Sequence, residues 1–262
     1  MRIRTIIDKE WAEVFKNKLV LITVLVLPLI FTVVPLVQLA ATREVDTGEM
    51  NDAPGNIAQL CHLQGLNDAE CLQGYLASSF MVFFFLMPLA IPVTIASYSI
   101  VGEKTTRSLE PLLATPTSTA EIILGKGLAA VLPAIAATWG SFSIFLLGAR
   151  FFVVSDRVYA IIANPMWLVG MALVAPLLTV LSVNVAILIS SRVNDPRAAE
   201  QLGTLVMIPV LGLFFAQIFG IVALNVTSML VFAVVLLGID AAMVALGVKL
   251  FQRETILTRW TQ

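Results

Sequence analysis

Charge is scarce in this sequence. Asp, Glu, Lys and Arg make up 13% of its 262 residues, against about 25% in an ordinary soluble domain. A net charge of −1 offers no electrostatic footprint for nucleic acid or an acidic substrate. Histidine is nearly absent as well: His62 is the only one, so there is no H-E-x-x-H motif and no imidazole in any apolar run. The phosphate-cradling pattern G-x-x-x-x-G-K-[ST] is missing; Gly125-Lys126-Gly127 comes nearest and lacks both the first glycine and the hydroxyl. No G-x-S-x-G elbow occurs. These absences argue against an enzyme and leave a transporter subunit or a channel, with any pumping energy supplied from outside the chain.

What the sequence has in quantity is apolar length. Hydrophobic residues reach 59% and the mean hydropathy is +0.95. A hydrocarbon core of roughly 30 Å takes about 20 helical residues, and six runs qualify: about 19–41, 75–101, 128–149, 166–189, 204–224 and 229–250. Their continuity excludes a barrel, which needs alternating segments of about ten residues. The first run is too long for the apolar part of a signal peptide and reads as a retained span. Only a few residues from Asn225 onward separate the last two, which predicts a tight helical hairpin or else a tilted or re-entrant span. The fold class is therefore all-α and polytopic.

Lys and Arg set the orientation. Arg2, Arg4, Lys9, Lys16 and Lys18 precede the first span; Lys104, Arg107 and Lys126 lie in the 102–127 segment; Arg192 and Arg197 follow the fourth span; Lys249, Arg253 and Arg259 close the chain. The other face keeps Arg43, Arg150 and Arg157. Both termini and the 102–127 segment are accordingly placed in the cytoplasm. The opposite segment, 42–74, is acidic and carries both cysteines, Cys61 and Cys71. Outside the cytoplasm they can form a disulfide. Free thiols remain an alternative, as does a metal site using His62, although two thiols and one imidazole fall short of a structural zinc set.

Within the spans, Asp240 is the one carboxylate read at mid-membrane depth. An ionisable residue there is a functional candidate by default. It serves either in proton or cation coupling or, more plainly, as a neutral acid bonded to a neighbouring helix. Pro28, Pro35, Pro88, Pro92, Pro133, Pro176 and Pro209 can kink their spans, a weak signal because proline is common in transmembrane helices.

The 102–127 segment, "GEKTTRSLEPLLATPTSTAEIILGKG", is more elaborate than a connection requires. Glu103, Lys104, Arg107 and Glu110 mix signs. Pro111 suits the first turn of a short helix that Pro116 stops, and Ser118 with Glu121 has capping-box spacing, so a new helix should start at Thr119 and run into the third span. Leu109, Leu112 and Leu113 form an apolar knob ringed by charge, the character of a docking surface. An ordinary polar loop is the plainer reading.

"VGEKTTRSLEPLLATPTSTAEIILGKGLAA" resembles the cytoplasmic segment of ABC-2 type transporter permeases, through Glu103, Ser108, Leu109, Glu110, Leu112, Leu113, Thr115, Pro116, Glu121, Ile122, Ile123, Gly125 and Lys126. "IIDKEWAEVFKNKLVLITVLVLPLIF" resembles the family's amphipathic N-terminal elbow helix (here residues 1–18), and "KLFQRETILTRW" its C-terminal ending. The resemblance implies a single ABC-2 type transmembrane domain over 1–262: the permease subunit of an ABC transporter, commonly an exporter, in a prokaryotic inner membrane. Two permease subunits, identical or not, would work with separate cytoplasmic ABC ATPase subunits that bind the ATP and Mg. A coupling helix around Leu109–Pro116 would seat in the ATPase, with Glu103, Lys104, Arg107 and Ser108 nearby. Arg192, Asp195 and Arg197 form a second contact candidate. This chain itself would hold no cofactor or metal, and its other neighbour would be membrane lipid. The short 42–74 segment departs from relatives with a large extracytoplasmic domain. An ATP-independent carrier working through Asp240, or a non-transporting anchor or regulatory subunit, stays open as an alternative.

Overall fold

The computed structural model describes residues 2–43, 66–105, 119–219, 221 and 224–250. Every regular element among them is helical. Helix α1 (Arg2–Val14) is amphipathic, with Ile6, Glu10 and Val14 on its inward face and Arg4, Asp8 and Glu13 outward. Asn17 then ends one direction and starts another: its side chain accepts the Leu19 N–H at 3.0 Å, capping α2 (Lys18–Thr42).

Six helical runs are long and apolar enough to cross a membrane: Lys18–Thr42, Ala69–Glu103, Leu124–Phe152, Asp156–Arg192, Pro196–Gln217 and Val226–Ala245. Spans two and five begin earlier than hydropathy suggested, and a short separate helix precedes span four. The reason is local: Asn67, Ser155 and Asp195 sit at the N-caps of α3 (Asp68–Met81), α6 (Asp156–Ile162) and α9 (Pro196–Gly203). A polar cap and a charged first turn lower an average hydropathy without stopping a helix. The fifth span therefore starts in what looked like a connecting loop at Ser190–Gly203, eight residues ahead of the Thr204 that hydropathy favoured.

Span two is the central pillar. Of its most apolar window 78% is buried within the chain, against 17% for spans one and five. It comprises α3, a 3-10 turn (Val82–Leu86) and α4 (Met87–Thr105). Around it pack α2, α5 (Thr119–Phe152), α9 and α8 (Ala175–Arg192). At the end away from the basic segments, the wholly buried Gln73 pins three spans. Its Nε2 donates to the carbonyls of Leu39 (2.9 Å) and Phe152 (3.2 Å), while its Oε1 accepts the Val154 N–H at 2.8 Å.

The prolines have specific consequences. Each removes the donor that the carbonyl four residues earlier would use. The Phe84 carbonyl, four residues before Pro88, is taken instead by the Met87 N–H, producing the 3-10 turn. Pro209 does the same: the Ile208 N–H turns to Leu205 and makes the 3-10 turn Thr204–Met207 ahead of α10 (Ile208–Ile218). Pro92 would orphan the Pro88 carbonyl, which accepts the Ser182 hydroxyl from α8 at 3.1 Å. In span four, α7 (Pro165–Val169) passes through a π turn (Gly170–Val174) just before Pro176. There the Ala175 N–H reaches back to Gly170, and the Met171 carbonyl is served by the Trp139 indole N–H of span three at 2.8 Å.

The last two spans do not form a tight hairpin. The helix of span five ends at Ile218, and α10 lies against the 3-10 turn of span two. The sixth, α11 (Val226–Leu250), lies against α7, the π turn and α8 of span four. An apolar cavity of about 530 Å³ opens between them, lined by Phe85, Val174, Leu178, Leu213, Phe232 and Val235 among others.

Candidate functional site

At the basic end of the bundle, the two helices that flank the 102–127 segment are tied to each other and to α1 by buried charge. Lys126, near the start of α5, is 7% exposed. Its Nζ sits 2.7 Å from Glu10 Oε1 and 2.8 Å from Glu103 Oε2. Glu103, near the end of α4, is 4% exposed and also takes the Lys9 ammonium at 2.8 Å. Ser99 Oγ donates to the second oxygen of Glu10 and accepts from Lys126 at 3.1 Å. Two carboxylates and two ammoniums make a neutral set, which is the condition for burying such groups at tolerable cost.

Each residue arrives there for a local reason. Glu10 falls one turn from Ile6 and one from Val14, on the face that α1 must turn inward. Trp11 adds a second attachment, its indole N–H donating to the Ala129 carbonyl at 2.9 Å. Gly125 permits the approach: a Cβ there would stand 2.7 Å from Ile6 Cγ2, well inside contact. For Lys9, which is part-exposed, burial lowers the pKa, but the hydrogen bond it donates to Glu103 and the charges of Glu103, Glu13 and Glu10 outweigh it. The net shift is upward from 10.5. A cavity of about 230 Å³ bordered by Glu10, Glu13, Asn17, Tyr98 and Glu103 lies alongside.

Of the residues singled out in the sequence, Glu103 is inside this network, so its carboxylate is occupied within the chain. Arg107, Ser108, Leu109, Glu110, Leu112, Leu113 and Pro116 fall outside the described residues, as does the Lys104 side chain. The third span's helix is unbroken from Thr119, where the described residues resume, to Phe152. Arg192, Asp195 and Arg197 are exposed, and Asp195 accepts the Arg197 N–H at 3.2 Å as the cap of α9. Cys71 is disulfide-bonded; the other cysteine of the chain, Cys61, lies outside the described residues. Asp240 is 5% exposed on α11.

Sequence reasoning missed Glu10, Ser99 and Glu200. Glu10 was legible in principle, because a carboxylate on the apolar face of an amphipathic helix asks for a cation. Glu200 on α9 accepts the Thr94 hydroxyl of span two at 2.7 Å. It went unnoticed because its helix had been read as a loop, so Asp240 is not the only carboxylate carried by a spanning helix.

The profile of the ABC-2 family transporter proteins matches residues 4–234, a stretch that runs from α1 into the sixth span and includes every member of the charge network. The chain belongs to the ABC-2 transporter family. A comparison with curated proteins finds no match. As an ABC-2 family member with six apolar helices, the chain is an integral, multi-pass permease subunit of an ABC transporter. Its charge network lies at the base of the 102–127 segment.

Proposed function

We propose that this permease works as half of an exporter's membrane part. It pairs with a second permease subunit, identical or not, and is driven by separate cytoplasmic ABC ATPase subunits that carry the ATP and Mg. The chain performs no catalysis and holds no cofactor. Its place is a prokaryotic plasma membrane. Residues Arg107 to Pro116 meet the ATPase through the Leu109, Leu112 and Leu113 knob and the charges of Lys104, Arg107 and Glu110. Arg192, Asp195 and Arg197 provide a second contact. Glu103 acts one step back from that surface, as an anchor.

The observation that carries this reading is the pair of ion bridges from Lys126, to Glu103 at 2.8 Å and to Glu10 at 2.7 Å. The segment leaves the membrane beside Glu103 and returns beside Lys126. A push on it is therefore delivered to spans two and three together, with α1 moving as part of the same body. Were the two stems free, displacement would be absorbed locally. Span two is also the most buried span, so a load applied to it reaches every helix packed around it.

Affinity purification of the full chain from native membranes, with mass spectrometry of what accompanies it, tests the proposal. An ATPase bearing P-loop and Walker B motifs should co-purify, and Leu112→Asp should remove it while the permease stays folded. Recovery of the permease without any ATPase, or an ATPase retained undiminished by Leu112→Asp, would overturn the assignment.

A further inference from the structure

The cavity between spans five and six takes no part in the charge network. Its volume of about 530 Å³ falls within the roughly 300–1,000 Å³ of pockets that hold small ligands. The floor comes from the inner spans: Val82 and Phe85 of span two, Val174 and Leu178 of span four, none more than 5% exposed. The walls come from the outer spans, through Val210 and Leu213 on α10 and Val231 and Val235 on α11. Each of these pairs is three or four residues apart, so every helix contributes one stripe. The cavity is therefore a groove running along the helices. Val231 and Val235 are 59% and 51% exposed, so the groove is open on its outward side.

Such a lining suits hydrocarbon rather than water. A buried water takes about two to four polar partners, and the groove offers them only at its rim, through Asn225, Thr227 and Ser228 where the chain enters α11. No charged residue lines it among the described residues. Spans five and six have only 17% and 22% of their most apolar windows buried within the chain, so in this membrane protein the groove borders the bilayer. From Asn225 at the rim to Val235 is about 15 Å at 1.5 Å per residue, half of a hydrocarbon core of roughly 30 Å. The groove is thus one leaflet deep, polar where the leaflet meets water and apolar below. A second copy of the chain would press on the outward faces of spans five and six. A helix about 10 Å across does not reach the floor that spans two and four form behind them.

We propose that this groove is a lipid site. One acyl chain of a bilayer phospholipid, from the leaflet away from the basic segments, lies along it with its methyl end toward Leu178 and Val235. Its headgroup rests at Asn225 and Thr227, which are exposed and offer an amide and a hydroxyl. Ser228 is engaged in the cap of α11, its N–H donating to Asn225 Oδ1 at 2.7 Å. With no charge at the rim, the headgroup is held by hydrogen bonds and not selected by its sign. The acyl chain stands where helix-to-helix contact would otherwise be, keeping α10 apart from α11. Span five is fastened at its other end, where Glu200 of α9 accepts the Thr94 hydroxyl and Gly203 abuts Val93. The 3-10 turn Thr204–Met207 separates that anchor from α10. Closure of α10 onto α11 expels the acyl chain, so its occupancy follows the position of the outer half of span five. This holds whichever motor drives the protein.

Photolabelling of the full chain in lipid nanodiscs tests it, with a phosphatidylcholine that carries a diazirine near the end of one acyl chain. Peptide mass spectrometry after irradiation should find adducts on the floor, at Phe85 or Leu178. It should also find them on Leu29 of span one, which is 62% exposed and reports ordinary boundary lipid. Moving the diazirine next to the ester should shift the groove adducts to the residues from Thr227 to Met229. Val235→Trp and Leu213→Trp, which place a ring in the groove from either wall, should each lose most of the floor adduct and leave the Leu29 adduct unchanged. Adducts on Leu29 and Val231 with none on the floor would overturn the proposal, because the groove would then be boundary surface only. A floor adduct undiminished in both tryptophan variants would overturn it too. A covalent dimer formed on oxidation of Val235→Cys would identify a second copy of this chain as the occupant, with the same consequence. Monodisperse elution of each variant confirms that folded proteins are compared.

Discussion

Lys126 Nζ and Glu103 Oε2 meet at 2.8 Å across the mouth of a segment that leaves the bundle at one of them and returns at the other. Neither residue is free to serve a partner directly, and both are pinned again by α1, through Lys9 and Glu10. The network thus joins three pieces of chain that are distant in sequence and share one job.

Removing one member should cost more than removing a balanced pair. Lys126→Met leaves Glu10 and Glu103 buried with only Lys9 for compensation, a loss of about 3–5 kcal/mol for a broken buried pair. Glu103→Gln combined with Lys126→Gln should cost less than the sum of the two single changes, by about 1–3 kcal/mol of coupling. Thermal unfolding in detergent measures this, and additive losses would show that the bridge is not a coupled unit.

Gly125→Ala offers a test of sign. In an exposed helix the change gains up to about 1 kcal/mol. Here the new Cβ would press on Ile6, whose Cγ2 and Cβ are 2.7 and 3.0 Å away, neither of them the end of a flexible chain. The variant should be less stable than wild type, with faster hydrogen exchange confined to α1, and Ile6→Ala should restore it. A stabilised Gly125→Ala protein would mean that α1 does not hold this close position.

Lys9 has a definite pH signature. Its pKa is raised in the folded state, so its stabilising contribution is complete at and below its ordinary 10.5. It is lost as pH climbs through the higher folded value. The stability difference between wild type and Lys9→Gln should be flat through the neutral range and shrink in strong alkali. A difference that instead changes around neutrality would point to another titrating group.

What could be read from the sequence follows from what the bilayer enforces. Apolar length revealed six spans because lipid tolerates little else, but it misplaced the start of span five. A hydropathy average drops at Asp195 and Glu200, whereas the helix is started by the Asp195 cap and seated by Thr94. The 102–127 motif marked Glu103 and Lys126 as noteworthy without saying that they face each other. That pairing depends on the direction in which α4 and α5 present their faces, which no local pattern encodes. Glu10 was half legible, as an acid on an apolar face awaiting a cation. The prolines were visible one by one, but the carbonyls of Pro88 and Met171 find donors on other spans, and those partners are a property of packing alone.

The donor that Trp139 lends to span four is the clearest of these exchanges. The π turn sends the Ala175 N–H to Gly170, and the residue that could serve the Met171 carbonyl five positions on is Pro176, which has no N–H. The indole of Trp139 fills the gap at 2.8 Å. Trp139→Phe keeps most of the ring and strands a buried carbonyl, which should cost about 1–3 kcal/mol. In a Pro176→Ala background the alanine N–H can donate to Met171 itself, so the same Trp139→Phe change should cost markedly less. Melting temperatures of the four proteins in one detergent decide the matter. Equal losses in the two backgrounds would show that Trp139 acts only through packing. Unequal losses would establish a hydrogen bond from span three as the element that holds the π turn of span four in register.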